Sequence, residues 1–371
     1  MKPYIPEQLP LQNPDYKMLF GLVGESNAAL ARYDGLLQGI VNPVLLLSLV
    51  TMQEAVLSSK IEGTQATLDE VLEHEAGVKF EEAKVQDVQE IVNCRQALMA
   101  AFDYLKGHER PVTLHLIREM HKILLNSVRG HDKTPGQFRK DQNWIGAAGT
   151  PIDKATFVPP SPMQLDNFLH DWQEYVKSDD SDILLQLACV HAQFELIHPF
   201  NDGNGRIGRL LIPLFLYQKK KISSPMFYLS SYLEENRDEY YHCLGNISRK
   251  KDWNSWILFF FKAVQIQANR NSETVRNVMK LYEEMKIKIA GITHSQYAIH
   301  LLDALFDRPI FKTTELIDRT KIPRPTGMVL IRQLKEDGTL LTSIREASGR
   351  NPAILGFYPL INIVEGISRV K

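Results

Sequence analysis

A polar, glycine-rich stretch lies between two apolar runs and constrains the fold of this chain more than any other feature. The stretch is HPFNDGNGRIGR, residues 198–209; LACVHAQFELI precedes it and LLIPLFLY follows it. Both apolar runs are typical of buried helices, so the chain must turn between them. Charged and flexible groups placed where a core should be continuous are costly unless they have partners, which indicates a site at this turn.

Most of the remaining chain predicts helices, because apolar residues recur at the helical period over long segments. These segments are 42–61, 85–105, 113–128, 163–177, 181–197, 235–247 and 253–270. Thr113 is a predicted N-cap, as is either Ser181 or Asp182, since such side chains accept hydrogen bonds from the first free N–H groups of a helix. The expected fold class is therefore mainly α.

Two regions break the helical pattern. In residues 136–162, the β-prone runs NWI and TFV are separated by glycines and a proline, which predicts a short β-hairpin. After about Gly291, SQYAIHLLDALF, TTELIDRT and RPTGMVLIRQLKED predict three helices, and GTLLTSI and AILGFYPL predict two strands. Three helices followed by a two-stranded wing are typical of a winged helix-turn-helix domain.

Composition excludes several classes of protein. The 371 residues are 44% hydrophobic and 23% charged, which indicates a soluble globular protein of two or three domains. A net charge of -1 gives no overall field that would attract nucleic acid or membrane. The 3 cysteines lie far apart without a CxxC pair, as in a reducing compartment. Prolines and acids near the N-terminus argue against a signal peptide, and no apolar run approaches a membrane span, so we expect a cytoplasmic protein.

The polar stretch has the chemistry of an anion site. Residues 203–205 are Gly-Asn-Gly, whose backbone can direct successive N–H groups at one point. The apolar run from Ile207 onward indicates that a helix starts here, and its positive end faces the same point. Arg206 and Arg209 are three residues apart and therefore lie close together on the helix, where their guanidinium groups suit phosphate oxygens.

Three further residues complete the stretch. Asp202 can hold a magnesium ion that bridges phosphates, and His198 has a pKa suited to accepting a proton at neutral pH. Phe200 is expected to turn inward and anchor the loop. Each of these features alone is common at ordinary turns or on solvated helix faces, but their order between two buried helices favours a triphosphate site with an adjacent base.

The same stretch resembles the HxFx(D/E)GNGRxxR signature of Fic-domain proteins at every defined position. The matching residues are His198, Phe200, Asp202, Gly203, Asn204, Gly205, Arg206 and Arg209. The resemblance extends from about residue 42 to about residue 264, and the tail resembles the winged helix of one bacterial subgroup. It implies a Fic-fold helical bundle with a β-hairpin flap, divided into an N-terminal helical region (1–110), a catalytic core (111–268) and a winged-helix domain (290–371).

This resemblance implies adenylyl transfer, in which AMP moves from ATP to a Ser, Thr or Tyr hydroxyl of a target protein or of the chain itself. His198 would be the base and Asp202 the Mg²⁺ ligand. The implied nucleotide-binding residues are Glu62, His198, Gly203, Asn204, Gly205, Arg206, Ile207, Gly208, Arg209 and Tyr241. Because Gly205 is present, the resemblance favours the adenylylating orientation of the nucleotide.

Two other segments resemble parts of the same family. The predicted hairpin carries Trp144, Ile145, Phe157 and Val158 and resembles the flap that pairs with an extended segment of the target. A plain surface hairpin explains this sequence equally well. DEYYHCL, residues 238–244, resembles the segment beside the adenine, where Tyr241 and then Tyr240 would line the pocket.

SSKIEG, residues 58–63, resembles the inhibitory motif (S/T)xxxE(G/N) through Ser58, Glu62 and Gly63. By this resemblance Glu62 would pair with Arg209, and its carboxylate would repel an incoming phosphate. The pattern also fits an ordinary helix C-terminus with Gly63 as its cap.

Three alternatives stay open. The site could remove AMP from a modified protein, with Glu62 orienting a water molecule, or it could use another donor nucleotide. The tail could make the protein a DNA-binding regulator through Arg324, Arg332 and Lys335 of its third helix and Arg345 and Arg350 of its wing. Neighbouring acids dilute these charges, which favours a protein-interaction or dimerisation role for the tail. Apolar helical faces such as WNSWILFFF (253–261) would be covered in a homodimer.

Overall fold

The protein is mainly helical. This computed structural model describes residues 2–12, 15–106, 110–126, 133–147, 149–180, 182–349 and 351–367. By its contacts the chain divides into two compact units. One consists of residues 1–35, 57–64 and 89–269, and the other of residues 36–56, 65–88 and 270–371. Each unit is thus built from three separate segments of the chain. The domain boundaries given above stay a prediction.

A long helical part of the chain precedes a mixed part that contains the strands. The first twelve helices are α1 (Tyr16–Gln38), α2 (Pro43–Leu46), α3 (Ser48–Ile61), α4 (Leu68–Glu75), α5 (Glu82–Leu105), α6 (Leu114–Leu124), α7 (Pro162–Lys177), α8 (Ile183–Ile197), α9 (Asn204–Gln218), α10 (Ser230–Glu235), α11 (Arg237–Lys250) and α12 (Trp253–Thr293). They are followed by α13 (Ala298–Asp307), β1 (Ile310–Lys312), α14 (Thr313–Thr320), α15 (Arg324–Glu336), β2 (Thr342–Arg345), β3 (Ile354–Gly356) and α16 (Tyr358–Glu365).

Helix α8 is the centre of the first unit. Almost all of its residues are buried, and it packs against α7, α9 and α11, while α6 packs against α9. The predicted caps are confirmed. The Thr113 side chain accepts a hydrogen bond from Leu116 N–H at 3.2 Å, and Asp182 accepts from the N–H groups of Leu184 and Leu185 at 2.9 Å each. Ser181 lies outside the described residues.

The aromatic stretch at the start of α12 belongs to the core of this unit. Trp256, Phe260 and Phe261 are fully buried, and Trp256 Nε1 donates a hydrogen bond to the Ala188 carbonyl at 2.9 Å. The expectation that this stretch needs cover from a second copy is therefore wrong, because the chain covers it. A homodimer stays a prediction without this support.

The second unit contains a three-stranded antiparallel sheet in the order β1-β3-β2. Ile310 pairs with Gly356 and Lys312 with Ile354, and β2 joins the other side of β3 with an irregularity between Ser343 and Arg345. Helix α13 packs against α14 and α2, and α14 packs against α15 and β1.

The predicted three helices and two strands of the tail correspond to α13, α14, α15, β2 and β3. The second predicted strand is too long, because β3 ends at Gly356 and α16 begins at Tyr358, with Phe357 as its N-cap. A proline is tolerated in the first turn of a helix, where no intrahelical N–H is needed. The assignment as a winged helix stays a prediction.

Candidate functional site

The polar stretch forms a tight loop between α8 and α9. His198 ends α8 in a left-handed conformation with φ of 51°, and its N–H donates to the Phe194 carbonyl at 3.1 Å. Gly203, with φ of 75°, precedes the first residue of α9. The loop therefore sets the end of one buried helix against the start of the next, as the sequence predicts.

Asn204 and Phe200 brace this loop. The Phe200 N–H donates to Asn204 Oδ1 at 2.8 Å, and Asn204 Nδ2 donates back to the Phe200 carbonyl at 2.9 Å. Phe200 is fully buried, which confirms that it turns inward. Because the Asn204 side chain is used inside the loop, its contribution to an anion site is limited to its backbone.

His121 of α6 packs against the loop and hydrogen-bonds to it. Its ring stacks on Phe200 with a centroid distance of 3.7 Å. The Gly136 N–H donates to His121 Nδ1 at 2.9 Å, so the proton lies on Nε2, which donates to the Asp202 carbonyl at 3.0 Å. Burial lowers the pKa of His121 to about 4, so this brace is neutral at pH 7.

Arg139 also supports the loop, through hydrogen bonds to backbone carbonyl groups. Its Nε donates to the His198 carbonyl at 2.9 Å and its Nη2 to the Pro160 carbonyl at 2.5 Å. Its N–H donates to the Pro199 carbonyl at 2.9 Å. A buried guanidinium thus fixes the backbone on which the His198 imidazole is mounted.

The His198 imidazole is held in one orientation. Its Nδ1 lies 3.2 Å from the Glu195 carbonyl oxygen, which can only accept, so the proton lies on Nδ1. Nε2 is then the basic nitrogen. Burial lowers the pKa of His198 to about 4, with the Glu195 carbonyl opposing the shift. The imidazole is therefore neutral at pH 7 and able to accept a proton.

Arg209 lies fully buried on α9 and meets the end of α3. Its Nε donates to Ser58 Oγ at 2.9 Å and its Nη2 to the Ser58 carbonyl at 2.8 Å. Nη2 also donates to Glu62 Oε1 at 2.6 Å. Burial works against its charge, but the Glu62 carboxylate outweighs this and raises the pKa of Arg209 above its ordinary value.

Glu62 is ionised in this contact. Burial would raise its pKa, but the charge of Arg209 and the hydrogen bond from it lower that pKa below the ordinary value, with smaller contributions from Arg206 and His198. A Cβ atom at Gly205 would collide with Glu62 Oε1. The glycine at the start of α9 therefore makes room for this carboxylate.

Both arginines keep buried donors without an acceptor among the described residues: Nε of Arg206 and Nη1 of Arg209. Arg206 Nη1 lies 3.4 Å from Glu90 Oε2, and its Nη2 lies 3.6 Å from Asp202 Oδ1. Buried donors of this kind suit an anion with several acceptor oxygens, such as a phosphate chain.

Asp202 is the exposed acid of the loop. Its side chain is 47% exposed, and its Oδ1 accepts a hydrogen bond from the Gly203 N–H at 2.6 Å. In the described part of the chain, no group of three or more His, Cys, Asp or Glu residues is arranged to hold a metal ion. A magnesium ion here would have one carboxylate from the protein and need its other oxygens from substrate and water.

The two tyrosines of α11 differ. Tyr240 is fully buried and its hydroxyl lies 3.0 Å from Nε2 of His191, whose Nδ1 lies 3.0 Å from the Gly208 carbonyl. Tyr241 is 43% exposed, and burial of its hydroxyl together with the Glu62 charge raises its pKa to about 12. Of the two tyrosines, only Tyr241 is therefore accessible to a ligand, and the Arg237 guanidinium lies over its ring at 5.8 Å.

In the described part of residues 136–162, the predicted hairpin is reduced to one antiparallel bridge between Ile145 and Phe157. The Ile145 N–H donates to the Phe157 carbonyl at 2.8 Å, and the Thr156 N–H donates to the Ile145 carbonyl at 2.7 Å. Trp144 and Ile145 are about two-fifths exposed, whereas Val158 is buried. The segment thus presents an exposed apolar edge, and its role as a flap stays a prediction.

The structure pairs Glu62 with Arg209, as the resemblance of residues 58–63 implies, adds Ser58 to that contact, and places His198 and Asp202 on the same loop. Sequence reasoning missed three supports. His121 was visible as a polar residue on the apolar face of α6. Arg139 and Glu90 carried no signal, because their partners are distant in sequence.

Comparisons with known proteins agree with these features. A model of the Fic/DOC family N-terminal region matches residues 20–103, and a model of the Fic/DOC family matches residues 111–216. Together they cover just over half of the chain.

Curated relatives cover part of the chain. A probable protein adenylyltransferase of Aquifex aeolicus is 26% identical over 173 residues, which are 46% of this chain and 49% of that protein. The protein adenylyltransferase Fic of Nematostella vectensis is 27% identical over 165 residues, or 43% of this chain and 36% of that protein. The aligned regions thus span half or less of the length of these relatives.

Among solved structures, a Fic family protein from Desulfovibrio desulfuricans G20 has a TM-score of 0.59 at 19% identity and covers 96% of this chain and 98% of its own. A Fic domain containing signaling protein from Bacteroides thetaiotaomicron has a TM-score of 0.53 at 21% identity and covers 70% of this chain and 97% of its own. At these identities the likeness shows a shared fold. No helix within the described residues is both long and apolar enough to cross a bilayer.

Proposed function

Because the chain belongs to the Fic/DOC family, we propose that it is a protein adenylyltransferase that moves AMP from ATP to a Ser, Thr or Tyr hydroxyl. The curated relatives that it matches carry the name protein adenylyltransferase, which supports the reaction class. The acceptor would be a target protein or the chain itself.

One observation carries the proposal: a neutral imidazole, a helix start and two buried arginines with unused donors converge on one loop. A helix N-terminus and guanidinium groups suit the triphosphate, and the imidazole suits a hydroxyl that must lose its proton. Without the imidazole, the arrangement would be a binding site only.

In the proposed reaction the target hydroxyl oxygen forms a bond to the α-phosphorus of ATP, and the bond from that phosphorus to the bridging oxygen breaks. The hydroxyl proton passes to Nε2 of His198, and pyrophosphate leaves. Arg206, Arg209 and the first N–H groups of α9 would bind the β- and γ-phosphates and stabilise the charge of the leaving group. Arg139 would keep the imidazole aligned through the His198 carbonyl.

Magnesium fits the site through Asp202. A half-exposed carboxylate beside the helix start is the kind of single protein ligand that this ion accepts together with phosphate oxygens and water. When bound, the ion would neutralise charge on the phosphates. Tyr241 would contact the nucleotide base with the exposed part of its side chain.

In the ATP-free state, the site would be restrained by Glu62. Its carboxylate takes a donor of Arg209 that a γ-phosphate would need, and it lies where a phosphate charge would be repelled. We infer that Ser58, Glu62 and Gly63 form an inhibitory segment at the end of α3. ATP would bind productively only after this segment moves.

A second reaction, hydrolytic removal of AMP from a modified protein, is favoured by one observation. The Glu62 carboxylate and the His198 imidazole each shift the pKa of the other, so the carboxylate is near enough to orient a water molecule beside the imidazole. Incubating a pre-adenylylated acceptor with the wild-type protein, and separately with Glu62→Gln, tests this. Release of AMP by the wild type and its loss in the variant would support it.

For the tail, a protein-interaction role is the better proposal than DNA binding. The predicted recognition helix is α15, and its Lys335 pairs with Glu346 at 2.8 and 2.9 Å, which removes part of its basic face. Arg345 donates to the Pro352 carbonyl at 3.4 Å, while Arg350 lies outside the described residues. A duplex-binding titration with the full chain tests this: DNA binding would show a steep dependence on salt.

The transfer reaction is tested with two forms of labelled ATP. With α-labelled ATP and magnesium, the Glu62→Gly variant should place label on protein, and γ-labelled ATP should place none. Adding His198→Ala should abolish the labelling while nucleotide binding persists, since the imidazole acts on the acceptor hydroxyl. Label from γ-labelled ATP with none from α-labelled ATP would indicate phosphoryl transfer instead and would overturn the proposal.

A further inference from the structure

The end of α3 is closed by a turn that fixes the direction of Glu62. Gly63 has φ of 99°, and its N–H donates to the Lys60 carbonyl at 3.0 Å. The Thr64 N–H donates to the Ser59 carbonyl at 3.1 Å. These two hydrogen bonds form a Schellman motif. Because Glu62 directly precedes the left-handed residue, this turn sets the backbone from which its carboxylate reaches Arg209.

The side chain of the last residue in this turn leads to a second arginine. Thr64 is buried, and its Oγ1 donates to Glu90 Oε2 of α5 at 3.1 Å. The same Glu90 oxygen lies 3.4 Å from Nη1 of Arg206. One carboxylate oxygen therefore joins the inhibitory segment to the other arginine of the polar loop.

The hydrogen bond between Thr64 and Glu90 favours the position of the inhibitory segment in which Glu62 contacts Arg209. A hydroxyl that donates to a carboxylate makes a charge-assisted hydrogen bond, and the Glu90 side chain is only 14% exposed, which limits competition from water. The segment is thus held on Arg209 through Ser58 and Glu62, and the turn that follows it is held on Glu90 through Thr64. Neither Thr64 nor Glu90 belongs to the motif that singles out Ser58, Glu62 and Gly63.

We propose that Thr64 is a positioning residue of the inhibitory segment, which it anchors to Glu90 and thereby keeps Glu62 on Arg209. This inference rests on the proposed function, because it concerns restraint of the same ATP site. Thr64 acts through Glu62, so its effect must disappear when the Glu62 carboxylate is absent.

The test compares three substitutions at Thr64 in the full chain. Thr64→Val removes the hydroxyl at nearly unchanged volume, Thr64→Ala removes it with less bulk, and Thr64→Ser keeps it. With α-labelled ATP below saturation, Val and Ala should each raise the initial rate of protein labelling about tenfold, the scale of one lost hydrogen bond to a charged group. Ser should stay near the wild-type rate.

The same substitutions are then made in the Glu62→Gly background, where Thr64→Val should change the rate by less than about twofold. A merely structural role would not produce this dependence on Glu62. Thermal melting of each variant identifies any that fails to fold. If the Thr64→Val protein does not fold, the labelling rates of Thr64→Ala and Thr64→Ser are compared instead.

Four results would overturn the proposal. Val and Ala could leave the rate at the wild-type value while Glu62→Gly raises it, in which case the proposed function stands and Thr64 has no part in the restraint. Ser could raise the rate as much as Val, which would point to packing. Val could raise the rate equally with and without Glu62. Absence of label from every variant, including Glu62→Gly, would sink the proposed function and this inference with it.

Discussion

Replacing Glu62 by glycine should make the protein more active and less stable. The carboxylate accepts a hydrogen bond from Arg209 Nη2 at 2.6 Å, and the arginine is fully buried. Removing Glu62 frees a donor for the γ-phosphate and removes a negative charge from the phosphate path. It also deletes a native contact, so activity and stability should change in opposite directions.

The magnitude follows from the contact. A hydrogen bond between charged groups contributes about 1.5–3 kcal/mol. The Glu62 side chain is 33% exposed, and solvent screening places the contribution near the lower end, at about 1.5 kcal/mol. That corresponds to about a tenfold rise in the rate at ATP concentrations below saturation. The same loss should lower the melting temperature by several degrees.

The chain offers a matched control for this substitution. Glu365 ends α16 before Gly366, which has φ of 68°, just as Glu62 precedes Gly63. The Ile367 N–H donates to the Asn362 carbonyl at 3.0 Å, so the turn has the same closure. Glu365→Gly therefore reproduces the local backbone change without touching Arg209, and it should leave labelling unchanged.

The assay is the initial rate of protein-bound label from α-labelled ATP with magnesium, read after denaturing electrophoresis, beside a thermal melt of each protein. Glu62→Gln should give an intermediate rate, because the amide oxygen still accepts from Arg209 but carries no charge. A folded Glu62→Gly protein that labels no faster than wild type, or a Glu365→Gly protein that labels equally fast, would refute this role of Glu62.

Three further predictions concern the same site. In the Glu62→Gly variant, labelling should stay level from pH 8 to about 5 and fall only at about pH 4 or below, because only the neutral imidazole accepts the hydroxyl proton and loss of the Glu62 charge lowers the His198 pKa further. A fall near pH 6.5 would contradict the lowered pKa of His198. Gly63→Ala places a side chain at φ of 99°, so it should lower the free energy of unfolding by about 1–2 kcal/mol in a denaturant titration and raise labelling. Its control is Gly24→Ala, which lies in open space on a helix; it should raise the free energy of unfolding by about 0.5–1 kcal/mol and leave labelling unchanged. Asp202→Asn should raise the magnesium concentration for half-maximal labelling at least about tenfold, and unchanged magnesium dependence would remove Asp202 from the proposed metal ligands.

The polar loop could be predicted because its constraints are local. Two apolar helices separated by a few polar residues leave one way to turn, and the glycines show where the backbone bends. Phe200 follows the same logic, since an aromatic residue in a short polar loop must turn inward. The contacts that support the loop could not be predicted, because Arg139 and His121 reach it from segments whose approach depends on the whole helical arrangement, although His121 stands out as a polar residue on the apolar face of α6.

Helix boundaries were less predictable where sequence signals conflict. Helix α1 was missed because Gly21, Gly24 and Gly35 interrupt its pattern, and tertiary packing overrides their low helix propensity. The predicted helix over 42–61 is interrupted at Leu47, which separates the short helix α2, beginning at Pro43, from α3. Helix α12 continues to Thr293, well past the predicted end at 270, through a polar half whose charged residues give little periodic signal.

Gly205 adjoins both the Glu62 carboxylate and the position proposed for the phosphates of the substrate. Any side chain there would collide with Glu62 Oε1, and the same space lies at the helix start where phosphates would bind. Glu62 and the γ-phosphate therefore compete for one position and for the same donors of Arg209. Since the competing contact is worth only about 1.5 kcal/mol, a partner that holds the end of α3 aside by a similar free energy would suffice to switch the site.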